Sequence, residues 1–175
     1  LASGDIIGIL NSDDFFADKE VIARIVREFT NDFSLDAVYS DVLFVKEQDA
    51  STAVRYYSSK GFKAPLFKFG FQPAHPTFYV RKEIFKKYGL YKPEFKIAGD
   101  FELLLRFILV HKIKSKYIED LWIIMRVGGA STSGIKSMLK INSEIIGACR
   151  ANNIYTNKFM VYSKYLIKWW GFIRK

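Results

Sequence analysis

Two adjacent carboxylates, Asp13 and Asp14, follow a short apolar run at residues 6–10. An apolar run of this length between polar residues predicts a buried strand of a parallel sheet. Ligands of open α/β sheets bind at the carboxyl ends of strands, and adjacent carboxylates repel each other unless a cation offsets them. Hard divalent cations take oxygen ligands and keep substrate phosphates as further ligands. The pair therefore predicts a metal–diphosphate site, with solvated turn residues as the alternative.

A third carboxylate, Asp100, follows a glycine at the start of an amphipathic segment. Two interpretations remain open: Asp100 is the helix N-cap, or it is a general base that accepts a proton from a hydroxyl nucleophile. Glu102 lies in the first turn of the same predicted helix, where a negative charge favours the helix dipole.

An arginine and a histidine are the remaining candidate site residues. The guanidinium of Arg126 suits bidentate pairing with phosphate, and a surface arginine is the alternative. His75 lies between Pro73 and Pro76 and is either a hydrogen-bonded structural histidine or an acceptor-side residue.

Hydrophobic periodicity predicts the elements that must position these residues. Alternating strands and helices favour an α/β sandwich with a mixed sheet. The predicted strands cover residues 6–10, 36–45, 54–57, 76–80 and 116–127, and the predicted helices 17–29, 82–88, 100–109, 135–151 and 157–172. Asp18 is the expected N-cap of the first helix, and residues 58–73 and 128–131 are expected to be loops.

Composition limits the classes of protein to which this chain can belong. At 175 residues with 50% hydrophobic content, the chain is long enough for one core and is not disordered. A lone cysteine, Cys149, cannot form an intramolecular disulfide, which favours a reducing compartment. The opening is not a signal peptide. Because Leu1 begins a predicted strand that needs neighbours, we expect the chain to be part of a larger protein.

The net charge of +9 is concentrated near the C-terminus, because no acidic residue follows Glu144. This distribution argues against a nucleic-acid footprint over the whole domain. The segment Lys158–Lys175 mixes lysines with large aromatic residues, including Trp169 and Trp170. Helical spacing places Lys164 and other lysines on one face, which predicts a helix lying in a membrane interface. The alternative is a helix packed on the domain with its lysines in solvent.

Four segments occur in the order found in family 2 glycosyltransferases, which are inverting enzymes of the GT-A fold. Residues 1–134 resemble that family through segments 2–14, 75–85, 98–106 and 125–131. The resemblance implies a GT-A-like mixed sheet flanked by helices. The residues of the C-terminal segment separately predict a basic, aromatic, membrane-associating helical tail at residues 135–175. The N-terminal β-α-β unit that binds the nucleotide base in relatives is absent, so we expect an incomplete donor pocket.

On the donor side, the resemblance implies that Asp14 binds Mn²⁺ or Mg²⁺ and that Asp13 contacts either the metal shell or the ribose of the nucleotide. Together with Asn11 and Arg126 they would bind a nucleotide-diphosphate sugar, with a UDP-sugar as the expected donor. Two positions depart from the family pattern. Asn11 stands where many members have an acid, and Arg126 stands near a metal-contacting histidine of many relatives.

On the acceptor side, the resemblance implies that Asp100 is the catalytic base, with His75 and Glu102 nearby. The expected acceptor is a saccharide or lipid-linked saccharide in bacterial surface polysaccharide or lipopolysaccharide synthesis. The expected location is the cytoplasm, peripheral on the inner membrane, with no nucleic-acid partner. A non-enzymatic module that binds membrane or nucleic acid through its basic, aromatic tail is the competing hypothesis. A phosphoryl-transfer enzyme is less favoured because no phosphate-binding glycine loop ending in Lys and Ser or Thr is present.

Overall fold

The computed structural model describes residues 2–127 and 134–173, and it confirms an α/β protein with a mixed sheet. The chain packs as two compact units that are interleaved along the sequence. The first unit comprises Leu1–Gly61, Pro73–Leu90 and Lys112–Ala130, and the second comprises Phe62–Gln72, Tyr91–His111 and Ser131–Lys175. The predicted division into a transferase-domain part at residues 1–134 and a helical tail at residues 135–175 stays a prediction.

The first unit is built on a six-stranded sheet. Its strands are β1 (Ile6–Ile7), β2 (Phe15–Phe16), β3 (Ala37–Lys46), β4 (Ala53–Tyr57), β5 (Tyr79–Arg81) and β6 (Ser115–Val127). They lie in the order β1-β5-β3-β6-β2, and β4 pairs with β3 beside this path. Among the described strands, β3 and β6 form the parallel pair, while the other pairings are antiparallel.

The prediction of a buried parallel strand at residues 6–10 is wrong. β1 ends at Ile7, is half-buried and pairs antiparallel with β5. Ile9 and Leu10 are exposed. The reason is topological: β1 and β2 lie at opposite ends of the strand order, so residues 8–14 pass from one edge to the other. Seven residues reach about 23 Å, enough for four strand spacings of about 4.8 Å.

Helix α1 (Val21–Asn31) covers the sheet with one face. Val21, Ile25 and Phe29 are buried in the core, at the spacing of a helix that buries one stripe. The residues that pack with them are Leu35, Val38, Val42, Ala74, Tyr79, Trp122 and Ile123. Ile22 and Val26 were predicted on the same apolar face, but both are exposed because they lie on the flank of that stripe.

Asp18 is not the N-cap of α1, contrary to the prediction. Glu20 holds that position without a side-chain capping bond. Asp18 instead accepts a hydrogen bond from the backbone N–H of Glu20 (2.7 Å) and pairs with Arg24 (2.9 Å). Helix α2 (Lys82–Tyr88) ends at Gly89, whose φ of 90° favours glycine, as the sequence predicts.

The second unit is helical. It contains a 3₁₀ helix (Ala64–Phe69) within the predicted loop, α3 (Gly99–Leu104), a π-helical segment (Leu105–Val110), α4 (Gly134–Ala151) and α5 (Lys158–Ile173). Phe67 lies in its core and makes edge-to-face contacts with Phe62 and Phe101, at centroid distances of 5.0 and 5.5 Å. The predicted loop at residues 128–131 falls outside the described residues.

The one-sided helix predicted at residues 100–109 is also wrong. Every residue from Phe101 to Ile108 is buried, including Glu102 and Arg106. α3 packs against α4 and the π-helical segment packs against the 3₁₀ helix, so residues 101–108 are covered on all sides.

Candidate active site

The acidic pair lies at the end of the segment that spans the sheet, directly before β2. Asp13 is exposed and Asp14 is buried. Asn11 Nδ2 donates a hydrogen bond to Asp14 Oδ2 at 2.7 Å, and the backbone N–H of Asp14 donates to the carbonyl of Asn11 at 3.1 Å. The turn formed by residues 11–14 therefore holds one carboxylate inward and presents the other to solvent.

Within the described part of the chain, the second oxygen of Asp14, Oδ1, is buried without a hydrogen-bond partner. The pKa of Asp14 is raised, and burial is the largest cause. The hydrogen bond from Asn11 and the charge of His75 oppose this shift, whereas the charge of Asp13 adds to it. A buried, unpartnered carboxylate oxygen costs free energy unless a ligand satisfies it. Asp14 is thus the carboxylate in this unit best suited to receive a cation.

Two further predicted residues belong to the same unit. His75 begins a short 3₁₀ turn (His75–Thr77), is half-buried, and acts electrostatically on Asp14. The guanidinium of Arg126, on β6, lies 5.7 Å from the ring centre of Phe15, the residue that follows Asp14. The first unit therefore brings Asn11, Asp13, Asp14 and His75 together, and it places Arg126 against Phe15.

A divalent cation fits this arrangement only as a partly solvated ion. In the described residues, no group of three or more His, Cys, Asp or Glu side chains could hold a metal. Mg²⁺ in such sites is bound by one or two carboxylates and completes its shell with water and substrate phosphates. The unpartnered Asp14 Oδ1 beside Asp13 meets that requirement.

Asp100 belongs to the second unit and lies in the first turn of α3. Ala98 occupies the N-cap position, and no side chain caps this helix, so the N-cap interpretation of Asp100 is wrong. Gln72 Nε2 donates to Asp100 Oδ2 at 2.9 Å, and Asp100 is half-buried. A carboxylate oriented by Gln72 and partly exposed to solvent is compatible with a general base.

The backbone before Asp100 is fixed from α4. The N–H groups of Ile97 and Ala98 both donate to Glu144 Oε2, at 2.8 and 2.9 Å. Gln72 and Glu144 were not singled out from the sequence, because each lies far along the chain from Asp100 and no local pattern joins them.

The placement of Glu102 argues against the predicted acceptor-side role. Its carboxylate is fully buried and accepts bonds from Arg106 (3.0 Å), Lys92 (2.8 Å) and Asn152 (3.0 Å). Burial opposes ionisation of Glu102, but the bonds from Arg106, Lys92 and Asn152 outweigh it and lower its pKa. A carboxylate so engaged has no free oxygen for a substrate hydroxyl, and its role is to hold α3 in place.

One buried carboxylate in the first unit, with a group of hydrogen-bond donors around it, was not identified from the sequence. Asp41, buried in β3, accepts hydrogen bonds from the phenols of Tyr56 and Tyr117 (both 2.9 Å) and from the backbone N–H of Ser59 (2.8 Å). Burial, with a further contribution from Asp41, raises the pKa of Tyr56 to about 12. An acidic residue in the middle of an apolar strand is the signal that could have identified Asp41.

Comparison with models of known protein families and with curated proteins finds no match for this chain.

Proposed function

We propose that this chain forms part of an inverting, GT-A-like glycosyltransferase that moves a sugar from a nucleotide diphosphate to a hydroxyl acceptor. The observation that carries the proposal is the buried Asp14, which lies beside Asp13, is influenced by the charge of His75, and has one oxygen without a hydrogen-bond partner among the described residues. The ordered segments that resemble family 2 glycosyltransferases support it further. By the same resemblance, surface polysaccharide synthesis at the cytoplasmic face of a bacterial inner membrane is the proposed setting.

On the donor side, Asp13 and Asp14 would hold a divalent cation. That ion, when bound, neutralises charge that develops on the departing diphosphate. Arg126 supplies a guanidinium that pairs with phosphate oxygens in a bidentate fashion. Asn11 holds the carboxylate of Asp14 in one orientation, so that Oδ1 remains available.

On the acceptor side, Asp100 accepts the proton of the acceptor hydroxyl. The hydroxyl oxygen forms a bond to the anomeric carbon as the bond from that carbon to the diphosphate oxygen breaks. The electron pair of the broken bond leaves with the nucleoside diphosphate, and attack opposite to the leaving group inverts the anomeric configuration. Gln72 orients the base through Oδ2, and Glu144 fixes the backbone that carries it.

Transfer from a panel of UDP-, GDP- and dTDP-sugars with Mn²⁺ or Mg²⁺ tests the proposal. The assay uses this chain and the polypeptide of the complete reading frame that contains it. We expect metal-dependent turnover of one donor, reduced at least about 100-fold by Asp100→Asn, which removes the base. Asp14→Ala should abolish the metal-dependent turnover, because it removes the buried carboxylate that receives the cation.

Asp5→Asn is the matched control, because Asp5 is an exposed carboxylate in the same N-terminal segment. It should leave turnover unchanged. If neither polypeptide binds or turns over any sugar nucleotide, the proposal is wrong and the non-enzymatic hypothesis gains weight. Equal losses in Asp5→Asn and Asp14→Ala would also contradict the assigned role of Asp14.

A further inference from the structure

Helix α5 exposes large apolar side chains along one face. Phe159 is 81% exposed and Leu166 is 67% exposed, and the two lie seven residues apart, about two helical turns. The opposite face is buried, with Val161 and Lys164 in the interior of the second unit. The helix is therefore anchored on one side and presents an unpartnered apolar stripe, defined here by Phe159 and Leu166, on the other.

Lys164 is buried, so the prediction that it lies on an exposed basic face of this helix is wrong. Its ammonium donates to Asn142 Oδ1 on α4 at 2.8 Å and is not on the surface of α5. Asn142 also donates to the phenol of Tyr165 at 3.1 Å, so the part of α5 that carries Leu166 lies next to the first half of α4. That half of α4 exposes Leu139. Trp169 and Trp170 were part of the predicted tail, and their side chains fall outside the described residues.

The exposed charged side chains on the described parts of α4 and α5 are all basic. Lys136, Lys140 and Arg150 lie on α4, and Lys158 begins α5 next to Phe159. Glu144 is the last acidic residue of the chain, and its carboxylate accepts two backbone N–H groups instead of facing the bases. A second copy of this chain would bring two basic surfaces together, which like-charge repulsion opposes. An anionic surface is complementary in charge.

We propose that the stripe of Phe159 and Leu166 docks in the interface of an anionic lipid bilayer, with the surrounding bases at the headgroups. Apolar side chains inserted between lysines are the pattern of helices that lie in a membrane interface. Each base near an anionic leaflet adds attraction that salt screens. None of the helices among the described residues is long and apolar enough to cross a bilayer. The proposal stands independently of the transferase proposal, because it uses neither Asp14 nor Asp100.

Co-sedimentation of the 175-residue chain with vesicles tests it, using phosphatidylcholine alone and phosphatidylcholine mixed with phosphatidylglycerol. We expect binding to the mixed vesicles and weak binding to phosphatidylcholine, with binding reduced at high salt. The double variant Phe159→Ser and Leu166→Ser should lower the partition coefficient at least tenfold.

The chain offers a matched control in its first unit. Phe33 is 80% exposed and Leu90 is 71% exposed, so Phe33→Ser with Leu90→Ser removes the same side chains at nearly the same exposure. This control should bind as the unmodified chain does, within about twofold, and circular dichroism of all forms checks folding.

Three results would overturn the proposal. The first is absence of binding to anionic vesicles by the unmodified chain. The second is equal loss in the test and control variants. The third is that the chain self-associates or binds single-stranded nucleic acid in place of vesicles, and that the Phe159 and Leu166 substitutions abolish this interaction.

Discussion

At the scale of one residue, Gly8 lets the segment that leads to the acidic pair pass close to Tyr79. A Cβ at Gly8 would lie 2.2 Å from Cε1 and 2.4 Å from Cδ1 of Tyr79. Tyr79 is itself buried in the core and contacts the ring of Trp122 edge to face at 6.0 Å. The chain passes over this ring on its way to Asp13 and Asp14, and only a residue without a side chain fits at this distance.

We expect Gly8→Ala to destabilise the protein by about 1–3 kcal/mol, because a packed aromatic ring must move to admit the methyl group. Urea unfolding followed by circular dichroism measures the change. Gly61→Ala is the control, since a Cβ there would meet no atom within 4 Å. It should change the free energy of unfolding by less than about 0.5 kcal/mol. Equal stability of the two variants would contradict the close approach of Gly8 to Tyr79.

Residue types alone identified the acidic pair and Asp100 as candidates, because carboxylates next to predicted element boundaries are visible in the sequence. The partners of those carboxylates were not visible. Gln72 reaches Asp100 across 28 residues, and Tyr117 reaches Asp41 across 76. Hydrogen bonds between such distant residues depend on the fold, so no local spacing predicts them.

At the scale of elements, α3 is held by charges inside the second unit. Glu102 and Arg106 lie one helical turn apart and form a buried pair, and Lys92 joins the same carboxylate from the preceding loop. The helical pattern predicted Glu102 in the first turn correctly. It could not predict burial, because that depends on the packing of α3 against α4, which is distant in the sequence.

We expect Glu102→Gln to lower the free energy of unfolding by about 3–5 kcal/mol at pH 7, since it leaves Arg106 as a buried, uncompensated charge. The folded-state pKa of Glu102 lies below its ordinary value of 4.5. Its contribution is therefore present above about pH 4.5 and is lost as the pH falls through the lowered folded-state pKa. Chemical unfolding at several pH values measures this dependence.

The control for α3 is Glu83→Gln, which removes an exposed carboxylate from the first turn of α2. It should change stability by less than about 0.5 kcal/mol. The unmodified chain should lose more stability on acidification than Glu102→Gln does. A variant that remained as stable as the Glu83→Gln control at pH 7 would show that the buried pair does not hold α3.

At the scale of the whole molecule, the chain forms two compact units, and Cys149 reports on the packing of the second. Its thiol is fully buried on α4, with Sγ 4.0 Å from the carbonyl oxygen of Phe67. Burial raises the pKa of Cys149 from 9.0 to about 11. The lone cysteine that the sequence analysis noted is therefore a packed core residue in its thiol form.

We expect alkylation of Cys149 by iodoacetamide at pH 8 to be at least about 100-fold slower in the native protein than in urea, because the thiolate is the reactive species. Mass spectrometry measures the rate. Glu102→Gln should accelerate the native reaction, since it weakens the same unit. Alkylation at the same rate with and without urea would mean that the second unit is open in solution.

The sequence by itself determined where most elements lie. It predicted the extents of β3, β6, α1, α2 and α4 within a few residues, because apolar periodicity and glycine stops are local properties. It also supplied the carboxylates and the one-sided charge of the C-terminal segment.

Only the tertiary structure decided how those pieces are used. It made β1 an antiparallel edge strand, buried Glu102 and Lys164, and surrounded Asp41 with two phenols. Each of these outcomes depends on which distant residues cover a side chain. A periodic pattern indicates whether a position favours burial. It does not identify the distant partner whose hydrogen bonds or opposite charge offset the free-energy cost of burying a charged group.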